Sequence, residues 1–202
     1  MQAIAGDDLA EPLRLLNATP NLATERLTDG ATRQNPMTHF LPMLGVYLYE
    51  GDTPLHVAAA AWRPEMLRRL VAAGAKVMSS NRRGATPLHY AASGNPDSAR
   101  WNPEAQCAAI GVLIDAGADP NAADNNGSTP LHGAIRTRCA AAVEALIRGG
   151  ADPTLSTRNG TTPHRLASIS SGRGGSGSPR AKEQQAEILQ LLEHLSPPAS
   201  DR

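Results

Sequence analysis

Short helical stretches with a regular apolar face recur along this chain. In four of them the apolar residues fall at positions i, i+3 and i+4, a spacing that places them on one side of an α-helix. In front of each lies a second, shorter helical stretch, and alanine is common in it. The pattern therefore predicts four pairs of helices. The apolar positions of the second helices are Leu67/Leu70/Val71, Ile110/Leu113/Ile114, Val143/Leu146/Ile147 and Ile188/Leu191/Leu192.

Each predicted pair opens with threonine followed by proline. The threonine hydroxyl is suited to cap a helix N-terminus, and proline is tolerated at the first helical position because the N–H that it lacks would have no partner there. A glycine follows the second helix of the first three pairs, where we expect the left-handed conformation that ends a helix. The threonines are Thr53, Thr86, Thr129 and Thr162, and the glycines are Gly74, Gly117 and Gly150.

The spacing between equivalent residues defines a repeat. The four threonines are separated by 33, 43 and 33 residues, and the three glycines by 43 and 33. A fixed period of this length is the signature of proteins built from stacked supersecondary units. The polar stretches between pairs, such as residues 121–126, are rich in Asn, Asp and Gly and predict hairpin turns.

The motifs GDTPLHVAAA, GATPLHYAAS, GSTPLHGAIR and LIDAGADPN resemble those of the ankyrin repeat family, over roughly Tyr49 to Leu195. The resemblance implies an all-α solenoid of helix–turn–helix units with hairpins projecting from one edge, and a protein-binding rather than catalytic function. The fourth repeat departs from the pattern, because His164 and Arg165 stand where Leu and His are expected. It also lacks the Gly-Ala stop, as terminal capping repeats often do.

These observations predict the domain organisation. We expect an N-terminal helical cap with an irregular insertion over residues 1–48, and four repeats over 49–195. The cap contains a predicted helix pair in GDDLAEPLRLLNATPNLATERL, and residues 29–50 are predicted to form an extended insertion or an enlarged first hairpin. The repeats are bounded at about 49–80, 81–122, 123–155 and 156–195, and residues 196–202 are expected to be a flexible tail.

The histidines after Thr-Pro-Leu are the first candidates for chemistry. The resemblance implies that His56, His89 and His132 hydrogen-bond the turn and hold each helix start to the adjacent hairpin. A metal or catalytic role would require them to converge, whereas stacked helices keep equivalent residues about 10 Å apart. The chain also lacks the GxSxG, HExxH and P-loop lysine motifs. We therefore predict no catalytic residue, no metal site, no cofactor and no enzyme activity.

The amino-acid composition of the chain limits the classes of partner that we expect it to bind. The 19 basic and 19 acidic residues balance to a net charge of zero, so the basic excess of a nucleic-acid binder is missing. No run of about 18 apolar residues predicts a membrane span. The N-terminus carries acids where a signal peptide has positive charge, and Cys107 and Cys139 are expected to be buried, reduced thiols. We expect a monomeric cytoplasmic protein, and the Ala-, Gly-, Pro- and Arg-rich composition hints at a bacterial source.

Two insertions interrupt the repeats. The second repeat holds ten extra residues near 94–104 and the fourth holds twelve near 170–181, both between the first and second helix. These turns share one edge of an ankyrin stack, where arginines, both tryptophans and glycine N–H groups would suit a small anion. Solvated loops and a protein contact remain alternatives, and the GRGGSGS stretch is not a Rossmann motif because no strand precedes it. The candidate residues of this edge are Trp62, Trp101, Arg136, Arg138, Arg173 and Gly174.

The leading candidate surface is the one that ankyrin stacks ordinarily use, namely the hairpin tips and the inner face of the first helices. Solenoids bind partners on such extended concave surfaces. We expect the partner to be another protein, whose identity the sequence does not give. The candidate partner-binding residues are Arg82, Arg83, Tyr90, Asn125, Asn126, Arg158 and Asn159.

Overall fold

A computed structural model of the 202-residue chain describes residues 1, 4, 10–32, 34–169 and 178–195. The chain forms two compact units. Unit 1 comprises Met1–Ala91 and Ala108–Asp119, and unit 2 comprises Ala92–Cys107 and Pro120–Arg202.

Nine α-helices lie within the described ranges, and eight of them form the four predicted pairs. Short 3₁₀ helices span Pro20–Thr24 and Met37–His39, and a two-stranded antiparallel sheet joins β1 (Phe40–Leu41) to β2 (Val46–Tyr47). The helices are α1 (Ala10–Ala18), α2 (Pro54–Ala60), α3 (Pro64–Ala72), α4 (Pro87–Ala92), α5 (Pro103–Asp115), α6 (Pro130–Arg136), α7 (Ala140–Arg148), α8 (Pro163–Ser168) and α9 (Pro179–Leu195).

The Thr-Pro signal begins the first helix of every pair, as predicted. At α6 the backbone N–H of Thr129 donates to Nδ1 of His132 at 3.2 Å, which places the ring proton on Nε2. That nitrogen donates to the carbonyl oxygen of Thr161 in the next repeat at 3.1 Å. His56 makes the same pair of contacts with Thr53 and Ala85 in unit 1, each at 3.1 Å. The role that the family resemblance implied for these two histidines is confirmed.

The second helices end where the glycines predicted. Gly74, Gly117 and Gly150 have φ angles of 92°, 91° and 92°, a region that favours residues without a Cβ. In each case the next residue's N–H bonds back into the last helical turn, as when Ala151 donates to Leu146 at 2.9 Å. These bonds satisfy carbonyl groups that the helix end would otherwise leave unpaired.

Each unit buries the apolar faces that the periodicity identified. In unit 1, α2 packs against α3 and against the first 3₁₀ helix, and α1 contacts α3. In unit 2, α6 packs against α7 and α8, and α9 packs against both α7 and α8. Fully buried side chains include Leu55, Leu67 and Leu70 in unit 1 and Leu131, Leu146, Ile188 and Leu192 in unit 2.

Most of the inserted residues fall between the helices of their pairs, as predicted, although the predicted stretches 94–104 and 170–181 run into the starts of α5 and α9. Three residues separate α2 from α3 and α6 from α7, whereas α4 ends at Ala92 and α5 begins at Pro103. Similarly, α8 ends at Ser168 and α9 begins at Pro179. The second helices of these two pairs are also longer, with 13 residues in α5 and 17 in α9 against nine each in α3 and α7. The chain tolerates the longer turns because a longer surface loop costs little closure entropy.

The predicted N-terminal helix pair is only partly present. Among the described residues, α1 is followed by the 3₁₀ helix Pro20–Thr24 and not by a second α-helix. Pro20 has no N–H to extend the helical ladder, and it disfavours helical backbone at Thr19, whose φ and ψ are −142° and 79°. Thr24 also bonds its hydroxyl to the carbonyl oxygen of Asn21 at 3.0 Å, which competes with regular helix formation.

Residues 27–32 and 34–52 form an enlarged hairpin, one of the two alternatives predicted for residues 29–50. Leu27 exchanges backbone hydrogen bonds with Gly51 and Asp52, each at 2.8 Å, and Ala31 donates to Leu48 at 2.7 Å. The two arms approach so closely that a Cβ at Gly30 would lie 2.3 Å from the backbone nitrogen of Glu50. Glycine is therefore required at that crossing.

Burial of the capping histidines predicts that acid destabilises the fold. Burial lowers the pKa of His56, although the Asp52 carboxylate 3.7 Å from Nε2 acts in the opposite sense. The unfolded chain therefore binds a proton below about pH 6.5 that the folded chain does not, and stability falls by up to about 1.4 kcal/mol per pH unit for this histidine. We expect urea unfolding at pH 7.5 and pH 5.5 to show the loss. His56→Gln should flatten the pH dependence, whereas His194→Gln, at an exposed position in α9, should not. Equal stability of the wild-type protein at both pH values would contradict this account.

Candidate interaction surfaces

Hydrogen bonds of the main chain join two neighbouring hairpin tips in unit 2. Arg158 of one tip donates its N–H to the carbonyl oxygen of Asn126 of the other at 2.9 Å. Asp124 holds the first tip by accepting the N–H groups of Asn126 and Ser128 at 2.7 and 2.9 Å. A Cβ at Gly127, which has a φ of 75°, would lie 2.8 Å from the nitrogen of Arg158, so the contact also requires glycine.

The predicted partner-binding side chains on these tips point away from the packed interior. They are exposed, while the backbone that carries them is hydrogen-bonded. This arrangement presents amide and guanidinium groups from a preformed main chain. The residues are Asn125, Asn126, Arg158 and Asn159.

A backbone hydrogen bond also joins neighbouring hairpins in unit 1, but there the arginine side chains make further contacts. Arg82 donates its N–H to the carbonyl oxygen of Glu50 at 2.8 Å, and Asn81 accepts the N–H of Arg83 at 2.9 Å. The side chains of Arg82 and Arg83 are exposed. Their guanidinium groups nevertheless contact the enlarged hairpin, through the carbonyl oxygen of Ala31 for Arg82 and the hydroxyl of Tyr49, at 2.8 Å, for Arg83.

Tyr90, the predicted inner-face residue, takes part in a buried hydrogen-bond network. Its hydroxyl donates to Asp52 at 2.8 Å and accepts from Asn81 at 3.2 Å. Asp52 is fully buried, and it also accepts the side-chain amide of Asn81 at 2.9 Å and the N–H of Tyr49 at 2.7 Å. Burial, with the neighbouring carboxylate, raises the pKa of Tyr90. The hydroxyl therefore joins the enlarged hairpin to the second repeat.

Sequence reasoning missed Asp52, although a signal was present. It precedes the Thr-Pro pair of the first repeat, where the other repeats have Ala85, Ser128 and Thr161. A carboxylate in a position otherwise held by small residues indicates that nearby groups need a hydrogen-bond acceptor. In the structure, Tyr49, Asn81 and Tyr90 each donate a hydrogen bond to it.

The two insertions meet in unit 2 at their described ends. Ser178 donates its hydroxyl to Asp97 at 2.6 Å and accepts the N–H of Ala181 at 3.0 Å, so it also caps α9. The guanidinium of Arg180 lies 4.8 Å from the ring centre of Trp101. Trp101 is 9% exposed, and its Nε1 donates to Gln106 at 2.9 Å.

The other residues of the predicted anion edge are differently placed. Arg138 is only 3% exposed and has a φ of 57°, while Arg136 is exposed. Trp62 belongs to unit 1, where its φ is 49° and its Nε1 donates to Ala91 at 3.0 Å. Arg173 and Gly174, with the rest of the GRGGSGS stretch up to residue 177, lie outside the described residues.

Both cysteines are free thiols, but only one of them is buried as expected. Cys139 is buried, and burial raises the pKa of its thiol to about 11. Cys107 is only half-buried, contrary to the expectation, because its position on α5 leaves part of the side chain accessible. Its Sγ contacts the carbonyl oxygen of Ala141 at 3.3 Å, and burial also raises its pKa. A raised pKa disfavours the reactive thiolate.

Within the described ranges, no group of three or more His, Cys, Asp or Glu side chains is placed to bind a metal ion. No helix within those ranges has the length and apolar character needed to cross a membrane.

The network around Asp52 predicts a cost for losing one hydroxyl. Tyr90→Phe removes a donor to Asp52 and an acceptor for Asn81 while preserving the ring. We expect the free energy of unfolding to fall by about 1–3 kcal/mol, the usual penalty for leaving buried polar groups short of a partner. Urea unfolding measures the change. Tyr47→Phe is the matched control, since Tyr47 is exposed, and should change stability by no more than about 0.5 kcal/mol. Equal effects of the two substitutions would refute the structural role of the Tyr90 hydroxyl.

Comparison with known protein families agrees with the repeat geometry. Family models described as "Ankyrin repeats (3 copies)" and "Ankyrin repeats (many copies)" match residues 18–101 and 113–167, and one described as "Ankyrin repeat" matches residues 83–125. Together they span residues 18–167. No curated protein matches the chain. The helix pairs, the Thr-Pro-Leu-His starts and these matches agree, and the chain belongs to the ankyrin repeat family, with the all-α fold of that class.

Proposed function

We propose that this protein is a non-catalytic scaffold that binds a partner protein through its hairpin tips and the adjacent inner helix face. Ankyrin repeats are in general protein-interaction modules. The observation that carries the proposal is the combination of exposed tip side chains with a tip backbone fixed by hydrogen bonds. A preformed backbone supports binding because little conformational entropy is lost when the partner docks.

The chemistry of the tips fits recognition of polar groups on another protein. Asn125, Asn126 and Asn159 each offer an amide that both donates and accepts hydrogen bonds, and Arg158 offers a planar guanidinium. Arginine is enriched among the residues that dominate interface energies. The tips of unit 2 therefore provide several directional contacts from one short stretch of surface.

Side chains that could act as catalytic groups are engaged in hydrogen bonds within the fold or kept protonated, which supports a non-catalytic role without a cofactor. Both ring nitrogens of His56 and His132 are occupied by backbone contacts. Asp52 accepts three hydrogen bonds, and the raised pKa of the Cys139 thiol keeps it protonated near neutral pH. The proposal includes a monomeric protein in a reducing, cytoplasmic compartment, which suits free cysteines, and no nucleic-acid partner, which suits zero net charge.

A competing proposal assigns a small anion to the loop edge in unit 2. The observation in its favour is that the two insertions meet, through Ser178 with Asp97 and Arg180 with Trp101. Against it, Arg138 is nearly inaccessible. Binding there would require Arg180, Arg136 or residues beyond the described ranges to supply the charge.

Variants at the tips separate these proposals. A partner captured by the full-length protein should bind Arg158→Ala and Asn126→Ala at least about ten-fold more weakly, because each removes one directional contact at a fixed tip. Affinity is measured by titration of the purified partner. Arg148→Ala, at an exposed arginine on α7 of the same unit, is the matched control, and Arg180→Ala tests the loop edge. If Arg180→Ala abolishes binding while both tip variants bind normally, the loop edge is the functional surface and the tip proposal fails.

A further inference from the structure

An aromatic row lies on the outer face of the enlarged hairpin in unit 1. Phe40 pairs directly with Tyr47 across the two-stranded sheet, and their ring centres are 4.8 Å apart. The pairing continues past β2, because Leu48 donates its N–H to His39 at 2.8 Å. Residues two apart on extended backbone lie on the same face, which places Tyr49 on the face of Tyr47. The burial pattern agrees, because Leu48, between these two tyrosines, is buried. One face of the hairpin thus packs inward, while Phe40, Tyr47 and Tyr49 line the other.

This hairpin exposes an unusual amount of apolar surface for its length. Met37 is 65% exposed, Met43 is 44% exposed and Tyr47 is 37% exposed. Six large hydrophobic residues are exposed among the described residues, and these three occur within one stretch of eleven. Single exposed apolar residues are normal on soluble proteins, whereas a group of them marks a site of interaction. Methionine and aromatic side chains are also the types enriched at protein interfaces.

Two arginines complete the row at its Tyr49 end. The guanidinium carbons of Arg83 and Arg82 lie 4.9 and 5.8 Å from the ring centre of Tyr49, within the range of cation–π attraction. The hydrogen bond from Arg83 to the Tyr49 hydroxyl fixes its position further. Within the described ranges, Arg83 has no carboxylate within ion-pair distance. An exposed cation that is oriented but not neutralised attracts a carboxylate, and the planar guanidinium suits bidentate contact with one.

We propose that Phe40, Tyr47, Tyr49 and Arg83 bind a short segment of a partner protein in which a large apolar side chain lies next to a carboxylate. This inference rests on the proposed scaffold function and names the surface and the partner chemistry for unit 1. The apolar side chain packs against the Phe40–Tyr47 pair, where it is removed from water. The carboxylate meets Arg83, which Tyr49 holds in place, so the two contacts together select an acidic, apolar sequence. The ordinary repeat pattern lacks this surface, because residues 29–50 do not follow that pattern.

A random dodecapeptide library displayed on phage, selected on the immobilised full-length protein, tests the inference. We expect recovered peptides to share an aromatic or large aliphatic residue within two positions of Asp or Glu. Fluorescein-labelled synthetic copies should bind Tyr47→Ala and Arg83→Ala at least about ten-fold more weakly than the wild-type protein in polarisation titrations. Arg83→Lys should also weaken binding, because lysine keeps the charge but loses the planar geometry. Replacing the peptide's acid with its amide should reduce affinity for the wild-type protein and leave binding to Arg83→Ala unchanged.

Matched variants in the same unit control for general effects. Met78→Ala removes another exposed apolar side chain, and Arg68→Ala removes another exposed arginine, so both should retain wild-type affinity. Thermal unfolding of every variant checks that folding is intact. Peptides that bind all variants equally, peptides without the acidic-apolar pattern, or no recovered peptide at all would overturn the inference. So would a dimer that Tyr47→Ala dissociates, because a second copy would then cover the row. The scaffold proposal survives each of these results if capture of a partner still depends on Arg158 and Asn126.

Discussion

The hydrogen-bonded unit that threonine and histidine form at the start of α2 and α6 is the interaction on which the remaining structure depends. The threonine N–H fixes one ring nitrogen, and this leaves the opposite nitrogen to donate to the next repeat, as His132 does to Thr161 and His56 does to Ala85. The contact sets the position of a helix and of the neighbouring hairpin at once. It works only with a neutral ring, which burial enforces by lowering the pKa.

Hydrogen bonds of the same kind also hold the hairpin tips in place. His56 and His132 each bond the base of the next hairpin, and a further backbone bond joins neighbouring tips, from Arg158 to Asn126 and from Arg82 to Glu50. In unit 1 the enlarged hairpin adds a second support, the buried carboxylate of Asp52, which would be costly to bury without its three donors.

Local signals in the sequence predicted the parts of the fold that depend on local chemistry. Thr-Pro pairs began helices, glycines ended them, and the counting of residues located both insertions, because capping and left-handed turns act within a few residues of the chain. Features set by distant contacts were missed. The hydrogen bond from the Tyr90 hydroxyl to Asp52, 38 positions away, was not predicted. Arg138 was predicted at an accessible edge, yet it is only 3% exposed. The partner-binding residues themselves stay predictions, since exposure does not reveal what binds.

The claim that the tips are preformed is tested most directly by amide hydrogen exchange in the free protein. The N–H groups of Arg82 and Arg158 donate across to Glu50 and Asn126, so NMR should find their exchange slowed about 100-fold or more relative to an unstructured peptide. Exchange of both amides at the rate of an unstructured peptide would contradict the account, because the tips would then have to be ordered by the partner.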